Sequence, residues 1–84
     1  TEGRAVSLVV VAAGAGLVLD LRQSVEAVLE QDAKQWRFEG EVIQPDGAVG
    51  LRYQARCRKR LPAPALADSV RRAAGSLAQD VLLL

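Results

Sequence analysis

The chain has 84 residues, enough for one small domain, and half of them are hydrophobic, which excludes a disordered composition. Eleven basic residues against ten acidic ones leave a formal charge of +1, so no global imbalance points to nucleic acid or an acidic partner. With no histidine and one cysteine, the chain excludes Ser-His-acid and Cys-His catalysis, histidine metal sites, a closed four-cysteine zinc site and an intrachain disulfide.

The chain opens Thr1-Glu2-Gly3-Arg4, which reads as the start of a processed or excised fragment of a longer protein. Residues 5–19 are mostly apolar but include Ser7, Gly14 and Gly16, and they are too short for a membrane span. Arg4 before an apolar run imitates a signal peptide, but the element order gives the run a use as a strand. Residues 6–13 predict a first strand, rich in β-branched side chains and lacking polar alternation, as in a covered central strand. Gly14-Ala15-Gly16 ends it. A second reading folds residues 9–13 back on 17–21 through the glycines.

Asp20 is the predicted N-cap of a first helix, with Gln23 completing a capping box. Leu21, Val25, Val28, Leu29, Asp32 and Trp36 mark one stripe, interrupted only at Asp32, so the helix is predicted to end near Gln35. Glu30 and Lys34 have the favourable i,i+4 order. Trp36 is expected to close the core between helix and second strand. A stacking platform is the alternative.

Residues 37–58 are the centre of the pattern. RFEGEVI and VGLRYQARC flank Pro45-Asp46-Gly47, and Asp46-Gly47 predicts a type I′ hairpin turn. Centred there, the register sets Val42 against Leu51, Gly40 against Tyr53 and Phe38 against Ala55, with Cys57 on the same inner side. Arg37, Glu39 and Glu41 then face Arg56, Gln54 and Arg52. Glu41–Arg52 is the expected cross-strand charge pair, and Arg37–Arg56 is a like-charge clash. Glu39 and Glu41 share a face and suit an acid pair in principle, but the neighbouring arginines favour surface pairing. Cys57 reads as a buried, inert thiol, and the lack of disulfides agrees with a reducing compartment.

Leu61-Pro62-Ala63-Pro64 ends the third strand and starts a second helix. Its apolar side is Leu66, Val70, Ala73, Ala74 and Leu77. Asp68 lies toward its start and Arg71 and Arg72 toward its end, as the helix dipole favours. Gly75 terminates it, and residues 80–84 predict a last strand.

The order strand, helix, strand, strand, helix, strand predicts an α+β domain of ferredoxin-like βαββαβ topology over residues 1–84. A four-stranded antiparallel sheet would carry strands one and three centrally and both helices on one face. Because strand one is apolar on both sides, the open face is expected to expose Ser7, Val9 and Val11, or Val6, Leu8 and Val10. A second copy, another domain or the rest of the parent chain is the expected cover.

Two stretches are candidate sites. Gly14, Ala15, Gly16 and Asp20 stand where backbone donors at a helix start can receive an anion or a small ligand. They match neither G-x-G-x-x-G nor a P-loop, and plain turn formation explains them equally. Arg58, Lys59 and Arg60, with Arg52 and Arg56, are the one basic concentration. They suit anionic lipid headgroups or nucleic-acid phosphates, or simply a solvated strand end. Phe38 and Tyr53 fall on the core side and strand one has no aromatic, which disfavours a nucleic-acid-binding sheet. No metal site, cofactor site or catalytic set is expected.

The strand SLVVVA, the helix DLRQSVEAVLEQDAKQWR, the hairpin with LRYQARCRKRL and the proline-led helix ending near VLLL together resemble an uncharacterised family of prokaryotic integral membrane proteins. The likeness is to the C-terminal soluble domain of that family, an ACT-like or ferredoxin-like unit behind a short membrane bundle, with a distant resemblance to MgtC-like membrane proteins. The resemblance implies a non-catalytic cytosolic accessory, regulatory or oligomerisation domain, its parent in the cell inner membrane. It also implies self-association or packing on the parent chain, and contact of Arg58, Lys59 and Arg60 with the membrane surface. A small-molecule-sensing ACT-like domain, with its ligand at Gly14–Asp20, is the alternative it carries, beside an anionic-surface or nucleic-acid module.

Overall fold

The computed structural model describes residues 5–84. Its first element is β1 (Ala5–Ala12), which needs no polar alternation because it is buried between two neighbours. A 3-10 turn over Ala15–Leu17 winds directly into α1 (Val18–Asp32). The hairpin β2 (Ala33–Ile43) and β3 (Val49–Cys57) follows, then α2 (Ala63–Ala74), a second 3-10 turn over Gly75–Leu77 and β4 (Ala78–Leu83). The strands form one antiparallel sheet in the order β2-β3-β1-β4. Both helices cover one face, so the ferredoxin-like topology and the central places of β1 and β3 are as the element order predicts.

The core lies between that face and the helices. Leu8 and Val10 of β1 and Leu51, Tyr53 and Ala55 of β3 meet Leu21, Val25 and Leu29 of α1 and Leu66 and Val70 of α2. Each fully buried leucine or valine there contributes roughly 1.5–3 kcal/mol. Pro64 stands in the first turn of α2 and Arg71 and Arg72 in its last, and Gly75 stops it, all as expected.

Helix α1 differs from its prediction at both ends. Asp20 is an exposed first-turn residue rather than the N-cap, which is Leu17 without a side-chain cap bond, because the preceding 3-10 turn has already begun to wind. The helix stops at Asp32, where Ala33 turns extended to pair with Cys57. Lys34 and Trp36 therefore lie on a strand, and the expected helical Glu30–Lys34 pair is replaced by a bond from Trp36 Nε1 to Glu30 Oε1 at 2.9 Å. Trp36 is half-buried against the core, as expected.

The hairpin register is also corrected. Only Gly47 in the loop has positive φ (+89°), so no type I′ turn forms at Asp46-Gly47. Instead Gly47 N–H donates to Gln44 O at 2.9 Å, Gln44 N–H donates to Ala48 O at 2.8 Å, and Asp46 Oδ1 accepts from Ala48 N–H at 3.0 Å. Pro45 thus lies within the turn. Val42 pairs with Gly50 and Glu41 with Leu51. A bulge between Phe38 and Gly40 then shifts the ladder, so Phe38 pairs with Tyr53 and Trp36 with Ala55. Gly40 carries the bulge with φ +124°. The Glu41–Arg52 pair and the Arg37–Arg56 clash do not form. Arg52 Nε instead lies 3.6 Å from Glu39 Oε1, and Arg37 pairs across the ladder with Gln54.

On the open face Val9 is only 5% exposed and Val11 2%, so the expected bare valine patch is absent there. Val9 sits between Arg52 and Leu82, and Val11 between Gly50 and Asp80. The hairpin end bends over β1. Gln44 covers Gly50, and Asp46 Oδ2 accepts from Gln79 Nε2 at 3.3 Å across the sheet.

Candidate functional site

The structure gathers cations where β2 begins and β3 ends. Cys57 pairs with Ala33 and Arg56 with Gln35, and the irregularity between Ala33 and Gln35 leaves Lys34 as the extra residue. Ala5, at the start of β1, pairs with Arg56 from the other side. Around this junction lies an open groove of about 700 Å³ lined by Lys34, Arg37, Arg56 and Arg58, with Trp36 and Gln54 between them.

Its cations are partly preset. Arg37 Nη2 donates to Glu39 Oε2 at 3.0 Å and to Gln54 Oε1 at 2.9 Å, which fixes the guanidinium over the open face. Glu30 is the one carboxylate among the described residues of the lining, and it accepts the Trp36 indole bond. After β3 the chain doubles back tightly. Arg58 bridges to Leu61, whose N–H donates to Arg58 O at 3.0 Å, and the turn holds Lys59 and Arg60 at an exposed tip. Among the described residues, no carboxylate lies within ion-pair distance of Arg58, Lys59 or Arg60.

Of the basic residues singled out in the sequence, Arg56 and Arg58 line the groove, and Lys59 and Arg60 adjoin it. Arg52 lies outside, occupied with Glu39 on the open face. Lys34 was hidden by a helix expected to run to Gln35, Arg37 was set against Arg56 only as a like-charge clash, and Trp36 stood as a core residue with stacking as its alternative.

Gly14, Ala15, Gly16 and Asp20 lie at the opposite end of β1, in neither this groove nor the smaller cavity beside the hairpin tip. Gly14 is extended, and its carbonyl accepts Leu17 N–H at 3.0 Å. A Cβ on Gly16 would meet nothing within 4 Å. The stretch performs the work of a turn into α1.

A polar cluster is half-buried between α1 and the hairpin. Tyr53 OH donates to Glu26 Oε2 at 2.7 Å, and Arg22 Nε donates to the same oxygen at 2.8 Å. The Arg22 guanidinium lies 3.9 Å from the centre of the Phe38 ring. Burial, and then the Glu26 carboxylate, push the Tyr53 hydroxyl well above its ordinary range. The hydrogen bond to Glu26 raises the Arg22 pKa, keeping it charged. Every group here is matched, which marks a structural network. Cys57 is free and buried, and burial pushes its thiol pKa up, away from nucleophilic chemistry.

No protein-family model matches the chain, and no curated protein matches it in sequence.

Proposed function

We propose that this chain is a non-catalytic accessory domain of a membrane protein, held on the cytosolic side of the cell inner membrane with its basic end against anionic lipid. The observation that carries the reading is the groove: Lys34, Arg37, Arg56 and Arg58 converge at the end of the sheet where β1 enters at Ala5. Lys59 and Arg60 extend the same charge on the adjoining turn.

Each lysine or arginine close to an anionic bilayer contributes about 1 kcal/mol, so several acting together hold a small domain loosely and reversibly. A membrane segment leading into β1 would raise the effective lipid concentration and make that weak contact sufficient. Positive charge next to such a segment also fits the cytosolic side. Leu83 and Leu84, 39% and 67% exposed at the same end of the sheet, would lie near the headgroup boundary.

Vesicle co-sedimentation tests this. The chain should bind vesicles containing phosphatidylserine, leave pure phosphatidylcholine vesicles unbound, and lose binding in Arg56→Glu/Arg58→Glu/Lys59→Glu. Absence of binding at low salt, or equal binding to both vesicles, would sink the reading. Tight binding to single-stranded RNA with no vesicle binding would replace it with a nucleic-acid module.

A further inference from the structure

β4 is an edge strand with none of the usual guards along its outer half. Val81-Leu82-Leu83-Leu84 carries no charge, no proline and no bulge, and Leu82, Leu83 and Leu84 are all partly exposed. The other edge, β2, is guarded by two irregularities and by Lys34, Glu39 and Glu41. An edge like β4 is a template for another strand, so what its outward backbone groups do is decisive.

Those groups can be assigned. Leu84 N–H donates to Ser7 O at 2.9 Å. Along the register Val9–Leu82 and Val11–Asp80, the inward-bonding residues of β4 are therefore Asp80, Leu82 and Leu84. Val81 and Leu83 point their N–H and C=O groups outward. At Val81 both are already taken. Its N–H donates to Asp80 Oδ1 at 2.8 Å, and its carbonyl accepts from Arg71 Nη2 at 3.0 Å. Arg71 reaches around from α2 and is braced by Asp68, 2.8 Å from its Nη1.

We propose that β4 is a strand-pairing surface for a second copy of this chain, held closed by Arg71 and Asp80. The partner follows from the strand itself. An antiparallel pair of β4 strands about a twofold axis through Leu82 sets Leu82 against its own copy and Val81 against Leu83 of that copy, matching apolar to apolar. Every backbone bond of that register uses a Val81 group. A twofold through Val81 puts the same Val81 groups at its centre. While Arg71 and Asp80 hold Val81, neither register forms a continuous ladder. When they release it, the sheet extends across two copies. This pairing rests on the β4 backbone, whereas the cations of the lipid contact lie at β2 and β3, and the two readings share only the side chains of Leu83 and Leu84.

The test compares the chain with Arg71→Ala/Asp80→Ala by sedimentation equilibrium over a wide concentration range. Circular dichroism checks the fold, and Leu82→Cys in a Cys57→Ser background traps the twofold as a disulfide. The parent should stay monomeric and link slowly. The double variant should dimerise about tenfold more tightly or better, because two backbone groups are freed, and should link rapidly. A folded double variant that stays monomeric overturns the proposal, and so does a parent that links as fast as the double variant. Hydrogen exchange on the unaltered chain gives a reading that no variant's folding affects. The Val81 amide should be protected although it lies on an edge, and a rapidly exchanging Val81 amide would also overturn the proposal.

Discussion

Tyr53 donates its hydroxyl hydrogen to Glu26 at 2.7 Å from a side chain that is fully buried in the sheet. The bond ties β3 to α1 through the oxygen that also receives Arg22. Tyr53→Phe leaves Glu26 its arginine, so the loss falls near the lower end for a hydrogen bond to a charged group, about 1.5 kcal/mol. Urea denaturation at neutral pH measures it, and no change would show that the bond is made equally well to water. The tyrosine also sets a pH dependence. Its folded pKa lies above its unfolded value near 10, so its contribution is complete below that pH. The unfolded chain loses the proton first as pH rises, and stability should fall from about pH 10 upward. The slope should flatten in Tyr53→Phe, the chain having no other tyrosine.

Gly50 lies on the open face where the hairpin bends over β1. A Cβ there would stand 2.9 Å from Val9 Cγ1, 3.1 Å from Gln44 Nε2 and 3.3 Å from the Val42 carbonyl oxygen. Gln44 can swing away, but Val9 is held in a central strand and the carbonyl is backbone. Gly50→Ala should therefore cost about 1–3 kcal/mol as an overpacking change, read as a lowered denaturation midpoint with an unchanged slope.

The elements that were legible from sequence are those with local punctuation. Pro62, Pro64 and Gly75 bracket α2, and the continuous apolar run of β1 announces a central strand. The end of α1 carried no such mark. Ala33, Lys34 and Gln35 are acceptable helix residues, and Trp36 stands four positions after Asp32, so the helical stripe ran on smoothly. Pairing of Ala33 with Cys57 and Gln35 with Arg56 overrode that preference. The bulge at Phe38–Gly40 was hidden because Glu39-Gly40-Glu41 continues a plausible alternation, and the turn register had already set Arg52 against Gly40 rather than Glu41, leaving it to pair with Glu39. The basic groove was half visible. Arg56 and Arg58 stood in a charge run and the expected register already set Arg37 beside Arg56, whereas Lys34 joins them only because α1 stops at Asp32. The hold of Arg71 on the Val81 carbonyl is a bond from side chain to distant backbone, which no local pattern encodes.

The glycines of the expected ligand turn and the glycine after α2 separate ligand binding from backbone need. Gly16 has an open space where a Cβ would go and no positive φ, so Gly16→Ala should leave stability within about 0.5 kcal/mol. Gly75 also has open space, but its φ is +54° with ψ −130°. Gly75→Ala should cost about 1–3 kcal/mol from backbone strain alone. Thermal denaturation of both variants decides the matter. A large loss at Gly16 would mean that the turn into α1 is more constrained than its neighbours indicate.

The lipid contact can be divided between the groove and the turn that adjoins it. Arg37 is already aimed by Glu39 and Gln54, so it meets a headgroup with little ordering cost, whereas Lys59 and Arg60 stand on an exposed tip and must be ordered on contact. Arg37→Gln/Arg58→Gln should therefore weaken binding to phosphatidylserine vesicles more than Lys59→Gln/Arg60→Gln, though each pair removes the same charge. Both pairs should weaken it less at raised salt, because exposed charges are screened beyond about 8 Å at physiological ionic strength. Vesicle titration of the two pairs at low and physiological salt makes the comparison. Equal losses would mean that the surface acts only through its summed charge. A larger loss from the tip pair would move the contact off the groove and onto the turn after β3.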